Sequence, residues 1–313
     1  MCDPRLRKGG HFFMSKKILK TLLCGIAALS ATSCSSNSSN NFIYHYDVNF
    51  SSIDTKNVEV EKLIVGMECN YSPFNWTDPS SNDYNVSISN VGGSYADGYD
   101  VQIAMLLGKA LNMEVEIVKE DWESLVPDVQ TGTINLVLAG MTDTEERRQS
   151  IDFSDEYYRS ELVLVTSKEF ADQNNRVIPS SELATILNGK NIVSQVSTVT
   201  DDVIEIFKED YGANHLSPLA TFADCAIDVK NNSAFAMTAE YPVAQAIVGS
   251  NKSLGIVRIS QDILGEYLSE LGVSIGIKKG NDNLKSCINQ ALSSIDQELR
   301  NQMMVESVSR SGE

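Results

Sequence analysis
From about Lys62 the chain alternates short apolar runs with amphipathic stretches. Leu63-Ile64-Val65-Gly66-Met67 is apolar throughout and of strand length, which predicts a buried strand. Residues 70–97 are rich in Asn, Ser and Gly and read as a long polar loop. Residues 99–111 carry helical periodicity and should stop near Asn112. A strand at 115–118, a helix at 122–129 ending near Gly132, and a strand at 134–139 follow. This β-α-β-α-β order implies a mainly parallel sheet with helices on both faces.

A second series opens at Glu161-Leu162-Val163-Leu164-Val165, with strands expected at 192–196, 233–237 and 254–259 and helices between them. Residues 273–277 read as one more strand. Behind it Leu284, Cys287, Ile288, Ala291, Leu292, Ile295 and Leu299 recur at intervals of three and four, as one long helix with a single core face. In open α/β sheets, ligands bind at the C-terminal edges of strands, beside helix N-termini. Two such units facing one another would share a site between them.

The N-terminus follows a different pattern. Met14-Ser15-Lys16-Lys17 begins a basic segment, and residues 18–31 are mostly apolar, interrupted by Lys20, and too short to span a bilayer. With small residues at its end, this is a secretory signal. Residues 1–13 precede the better start at Met14, and A- and G-rich codons of a ribosome-binding site would specify Lys8-Gly9-Gly10. Residues 35–41 are almost purely Ser and Asn, which suits a flexible tether.

Composition narrows the classes. A chain of 313 residues, 42% hydrophobic, can build one or two domains. Its net charge is −17, and the mature part has no Lys/Arg cluster of the kind a phosphate backbone requires, so nucleic acid is a poor candidate partner. Of the six cysteines, Cys2, Cys24 and Cys34 precede the fold, while Cys69, Cys225 and Cys287 are odd in number and widely spaced. They read as buried thiols, with no disulfide framework. Gly272-Val273-Ser274-Ile275-Gly276 fits the nucleophile-elbow pattern, but every histidine (His11, His45, His215) precedes it, so the triad order fails. One histidine in the fold argues against a zinc site, and no phosphate-binding loop of the GxxxxGK[ST] type occurs. No metal or cofactor is expected. Carboxylates are plentiful, so an acid–base pair stays open on sequence grounds.

Five segments in register carry a resemblance. Residues 63–76, from Leu63 through Glu68, Tyr71, Pro73 and Phe74 to Trp76, are similar to the first strand and loop of polar amino acid ABC-transporter substrate-binding proteins, family 3. Gly98-Tyr99-Asp100-Val101 resembles that family's helix start, and Trp122 with Leu125-Val126-Pro127 resembles its aromatic turn. Ala139-Gly140-Met141-Thr142, Arg147 and Ile151-Asp152-Phe153-Ser154 match most strongly, and Glu240-Tyr241-Pro242 stands where the family has an acid before Pro. Ala31-Thr32-Ser33-Cys34 resembles a bacterial lipobox, with Ala31 where Leu is usual, and implies lipidation at Cys34.

The resemblance implies a fold of the α/β class: a two-lobed periplasmic-binding-protein-like fold (type II) with two crossovers and an interlobe ligand cleft. It divides the chain into leader 1–33, lipid-anchor tether 34–61, lobe 1 at 62–160 with 273–308, and lobe 2 at 161–272. It implies an extracytoplasmic, lipid-anchored monomer that captures a free amino acid by hinge closure and passes it to a separate ABC permease and its ATPase. It does not imply an enzyme, although the same fold also serves dehydratases of small carboxylates and sensors, and a non-binding adhesin is a third class.

The resemblance also distributes roles. Thr142 and Arg147 would hold the α-carboxylate, Arg147 through its planar fork. Glu240 would meet the α-ammonium, with the Gly140 carbonyl beside it. Tyr71 and Trp122 would sandwich the ligand side chain, and Trp76 would line the mouth. Glu68 would meet the distal end; an acid beside aromatics suits arginine or lysine, while glutamine could donate its amide to the same acid. Taken alone, Arg147 beside Arg148 reads first as a solvated residue on a surface helix, and Trp122 equally as a core residue. Where relatives carry a Gly-rich turn, this chain has Val196-Ser197-Thr198-Val199-Thr200, so a backbone N–H of Thr198 or Val199 would clamp the carboxylate from an altered turn.

Overall fold
The apolar runs assemble into two sheets, and the chain passes between them twice. The computed structural model describes residues 42–311, so the leader, the Met14 start and the proposed anchor Cys34 lie outside the described residues. In the first lobe, Lys62–Met67 pairs in parallel with Glu114–Lys119 on one side and Leu136–Val137 on the other. Gly272–Ile277 then runs antiparallel to Leu136–Val137 and to Asp152–Arg159. The sheet is therefore mixed, not mainly parallel, because Asp152–Arg159 and the returning strand supply its antiparallel edge.

In the second lobe, Leu162–Ser167 is antiparallel to both neighbours, Ala236–Glu240 and Leu254–Ile259. Asn191–Val193, Asn214–His215 and Val177–Ile178 join in parallel. The chain leaves the first sheet after Arg159, enters the second at Leu162 and returns at Gly272. These crossings lie beside the expected crossovers at Ser160-Glu161 and Gly272-Val273. The G-x-S-x-G segment is thus a buried sheet strand, with no strand-to-helix elbow.

Leu63, Val65 and Met67 are fully buried, each side chain contributing roughly 1.5–3 kcal/mol of transfer free energy. Helix Tyr99–Leu111 stops at Asn112, whose left-handed backbone (φ 52°, ψ 47°) turns its amide back to the carbonyls of Gly108 and Lys109. Cys69, Cys225 and Cys287 are buried free thiols.

Three further expectations are corrected. The long loop 70–97 contains a four-stranded antiparallel sheet built from Asn70–Tyr71, Asn75–Asp78, Val86–Ser87 and Tyr95–Asp97. Strands this short carry too few residues for an alternation to register. The long C-terminal helix is two, Asp282–Ser293 and Gln297–Arg310. Asp296 caps the second by accepting the Leu299 amide (2.8 Å), while Arg300 donates to the end carbonyls of Leu292 (2.6 Å) and Ile295 (2.9 Å). The tether expected over 34–61 is docked from residue 42 onward. Tyr46 and Val48 are buried, the Tyr46 hydroxyl donates to Glu306 (2.7 Å), and Asn283 donates to the Asn57 carbonyl (3.0 Å).

Candidate functional site
The first-lobe side of the site is built on strand ends. Just past Lys62–Met67 the backbone turns through Cys69 (φ 51°), whose amide donates to Asn75 Oδ1 (2.8 Å), and this turn presents Glu68 and Tyr71. After Leu136–Val137, Gly140 adopts φ 59° and packs on the Tyr71 ring; a Cβ there would come within 2.7 Å of Tyr71 Cε1. Only glycine suits both the conformation and the approach. Thr144 caps the short helix Glu145–Arg148 by accepting the Arg147 amide (3.2 Å), and the Arg147 guanidinium returns to donate to the Thr142 carbonyl (2.8 Å).

The second lobe supplies three helix starts. Thr198 caps helix Val199–Tyr211, Thr221 caps Phe222–Lys230, and Glu240 ends its strand where Tyr241–Ser250 begins. Thr198 donates to the Gln195 carbonyl (2.7 Å) and shares a hydrogen bond with the Thr200 hydroxyl (2.9 Å), which fixes the first turn.

Between the lobes lies a small cavity. Glu68, Tyr71, Trp122, Gly140, Thr142 and Arg147 line it from one side; Gln195, Thr198, Val199, Thr200, Phe222 and Glu240 line it from the other. Eight of the nine expected site residues therefore meet in one space. Trp76 does not. It lines a neighbouring groove with Ser72 and Ala226, its indole donating to Asp78 (3.3 Å) under the Arg310 guanidinium. The small sheet, unseen in the sequence, carries it there.

The lobes are in contact across the cavity. The Tyr71 hydroxyl donates to Glu240, and Gln195 Nε2 donates to Glu68 (3.2 Å). The Ser197 carbonyl accepts from Arg147 (2.9 Å) and from the Trp122 indole (3.1 Å), with the guanidinium 5.2 Å from the Trp122 ring centre. Ser197 has φ 60°, so a serine occupies a left-handed position in the Val196–Thr200 turn. The expected aromatic sandwich of Tyr71 with Trp122 is arranged differently: Tyr71 stacks between Phe74 (5.3 Å) and Phe222 (4.9 Å), while Trp122 pairs with Arg147.

Phe222, Gln195 and Thr200 were missed in the sequence. A helix opening behind a capping threonine was the available signal for Phe222.

Burial dominates the electrostatics. Glu68, 7% exposed, is pushed up to about 7 by desolvation, against the lowering effect of the Gln195 hydrogen bond and of Lys119. Desolvation also raises Glu240, opposed by the Tyr71 hydrogen bond, and holds Tyr71 well above the usual phenol range. Two desolvated acids in a cavity with one guanidinium favour an occupant that brings positive charge to the acids and negative charge to the arginine. Among the described residues no cluster of His, Cys, Asp or Glu suits a metal ion, and no helix is long and apolar enough to cross a membrane.

Two α/β lobes, crossed twice and closed over a polar cavity, define a solute-capturing receptor fold. The chain belongs to the bacterial extracellular solute-binding proteins, family 3, whose model matches residues 63–306. It is similar to the arginine-binding extracellular protein ArtP of Bacillus subtilis (strain 168), 27% identical over 237 residues, covering 75% of this chain and 81% of the relative. Among solved structures, an ancestral arginine-binding protein bound to arginine is 26% identical, with a TM-score of 0.63 over 79% of this chain and 98% of that one. The amino acid ABC transporter substrate-binding protein AbpA from Streptococcus pneumoniae, bound to L-arginine, shares the fold at 20% identity, with a TM-score of 0.64 over 81% and 97% of the two chains.

Proposed function
We propose that this protein is an extracytoplasmic receptor that captures a free amino acid with a cationic side chain, arginine or lysine, and delivers it to an ABC importer. One observation carries the reading: Arg147 and Thr142 of one lobe and Glu240 of the other line the same cavity, with Glu68 as a further desolvated acid. The Arg147 fork and the Thr142 segment take the α-carboxylate, joined by amides at the start of helix Val199–Tyr211. Glu240 and the Gly140 carbonyl take the ammonium, and Glu68 the distal cation. Hydrogen bonds to charged groups contribute about 1.5–3 kcal/mol each, so these anchors outweigh the contacts to the aliphatic stem.

Because both lobes line the cavity, a bridging ligand favours the closed arrangement, and hinge movement about the two crossings provides entry. The names of ArtP and of the arginine-bound structures agree with a cationic ligand. Delivery to a permease with its ATPase, tethering through a lipid at Cys34 and a monomeric state complete the proposal.

A thermal-shift screen of the twenty amino acids tests it. Arginine or lysine should give the largest stabilisation, Arg147→Ala should abolish every shift, and Glu68→Gln should weaken cationic ligands selectively. A shift that survives Arg147→Ala removes the anchor assignment.

A further inference from the structure
One buried carboxylate outside the cavity ties the first-lobe loops of the site together. Asp100, in the first turn of helix Tyr99–Leu111, has no solvent exposure. Its Oδ1 accepts the Tyr157 hydroxyl (2.6 Å) and its Oδ2 accepts the Asn75 amide (2.8 Å). The backbone amide of Gly140 lies close enough to this carboxyl to favour its ionised form. Asn75 in turn accepts the Cys69 amide (2.8 Å), between Glu68 and Tyr71. Asp100 thus reaches the Gly140 turn directly and the Glu68–Tyr71 turn through one intermediary.

The geometry points to Asp100 as a positioning residue for ligand binding, whose carboxylate holds the Gly140 turn and the Cys69 turn in the register that aims Glu68, Tyr71 and the Gly140 carbonyl into the cavity. The inference rests on the amino-acid site proposed above. Both turns need such support. Cys69 and Gly140 sit at positive φ, and the Gly140 turn is seated against the Tyr71 ring, so a shift of one turn moves the other. Burying an acid in a core is unfavourable unless hydrogen bonds compensate, and here one of the donors, Asn75, also holds the Cys69 turn of the site. Desolvation pushes Asp100 up to about 7, with Tyr157, Asn75 and the Gly140 amide opposing it. Asparagine has nearly the same shape but replaces one acceptor oxygen with a donor, so Asp100→Asn sets an amide against Tyr157 or Asn75.

Calorimetric titration of L-arginine, L-lysine, L-histidine and L-glutamine into the full-length protein provides the test. For the amino acid that the wild type binds most tightly, Asp100→Asn should raise Kd by about tenfold or more, as expected when binding groups are displaced by a fraction of an ångström. Tyr157→Phe, which removes one donor and keeps the carboxylate, should raise Kd in the same direction by a smaller factor; it carries the test if Asp100→Asn does not fold. Leu183→Ala, in the second-lobe core, controls for a purely structural effect: its Tm should fall while its Kd stays at the wild-type value. A folded Asp100→Asn with wild-type Kd overturns the inference, and so does an equal loss of affinity in Leu183→Ala. If the wild type binds none of the four, the amino-acid reading of the site fails first and this inference falls with it.

Discussion
Glu68 gives the site a pH response whose sign follows from its burial. Its value in the fold, about 7, lies above the ordinary 4.5, so the ligand-free fold holds a proton there more tightly than the unfolded chain. The stability this contributes is complete below about pH 4.5 and is lost as pH rises through about 7. Asp100 is raised in the same direction and adds to the trend. The Tm of the ligand-free protein should therefore decline across that window, less so in Glu68→Gln. Ligand binding should run the other way, because a cationic side chain needs Glu68 ionised. Arginine affinity should increase from about pH 5 to about pH 8 more steeply than that of any neutral amino acid that binds, and Glu68→Gln should remove the difference. Parallel slopes in the wild type would separate Glu68 from the ligand side chain. The first-lobe residues were legible because each sits in a short local motif at a strand end. Gln195 was not, since its bond to Glu68 joins positions 127 residues apart and exists only where the lobes meet.

Among elements, the turn before helix Val199–Tyr211 holds a left-handed residue without using glycine. Ser197 at φ 60° directs one carbonyl to both Arg147 and Trp122. Ser197→Gly should leave stability within about 1 kcal/mol of wild type. Ser197→Val places a β-branched residue in the left-handed region, at a cost of about 1–3 kcal/mol, and should lower both Tm and affinity. Unchanged thermal unfolding in Ser197→Val would mean that the turn is not held in this conformation. The strong runs, Lys62–Met67 and Leu162–Ser167, were readable because burial on both faces makes a strand apolar throughout. The small sheet within 70–97 and the break at Ser294–Asp296 were hidden, because hydrogen bonds between short polar segments and a single cap leave little hydrophobic pattern.

At the scale of the whole molecule, the two crossings make the lobes separable bodies joined by short links, and the cavity exists only where they face each other. Small-angle scattering should show the radius of gyration falling when the ligand is added, and no change would contradict hinge closure. Two α/β units were legible from the order of apolar runs, and the two crossovers came from the family resemblance; the docking of residues 42–61 was not legible, since an extended strap held by a few contacts has no period of its own. In the proposed binding mode, the two ends of a zwitterion are gripped from opposite lobes. Calorimetry of L-arginine beside agmatine, which lacks the carboxylate, and 5-guanidinopentanoate, which lacks the ammonium, tests this most directly. Each truncated ligand should bind at least about a hundredfold more weakly than arginine, as expected when a buried charge loses its partner; agmatine or 5-guanidinopentanoate binding as tightly as arginine would contradict it.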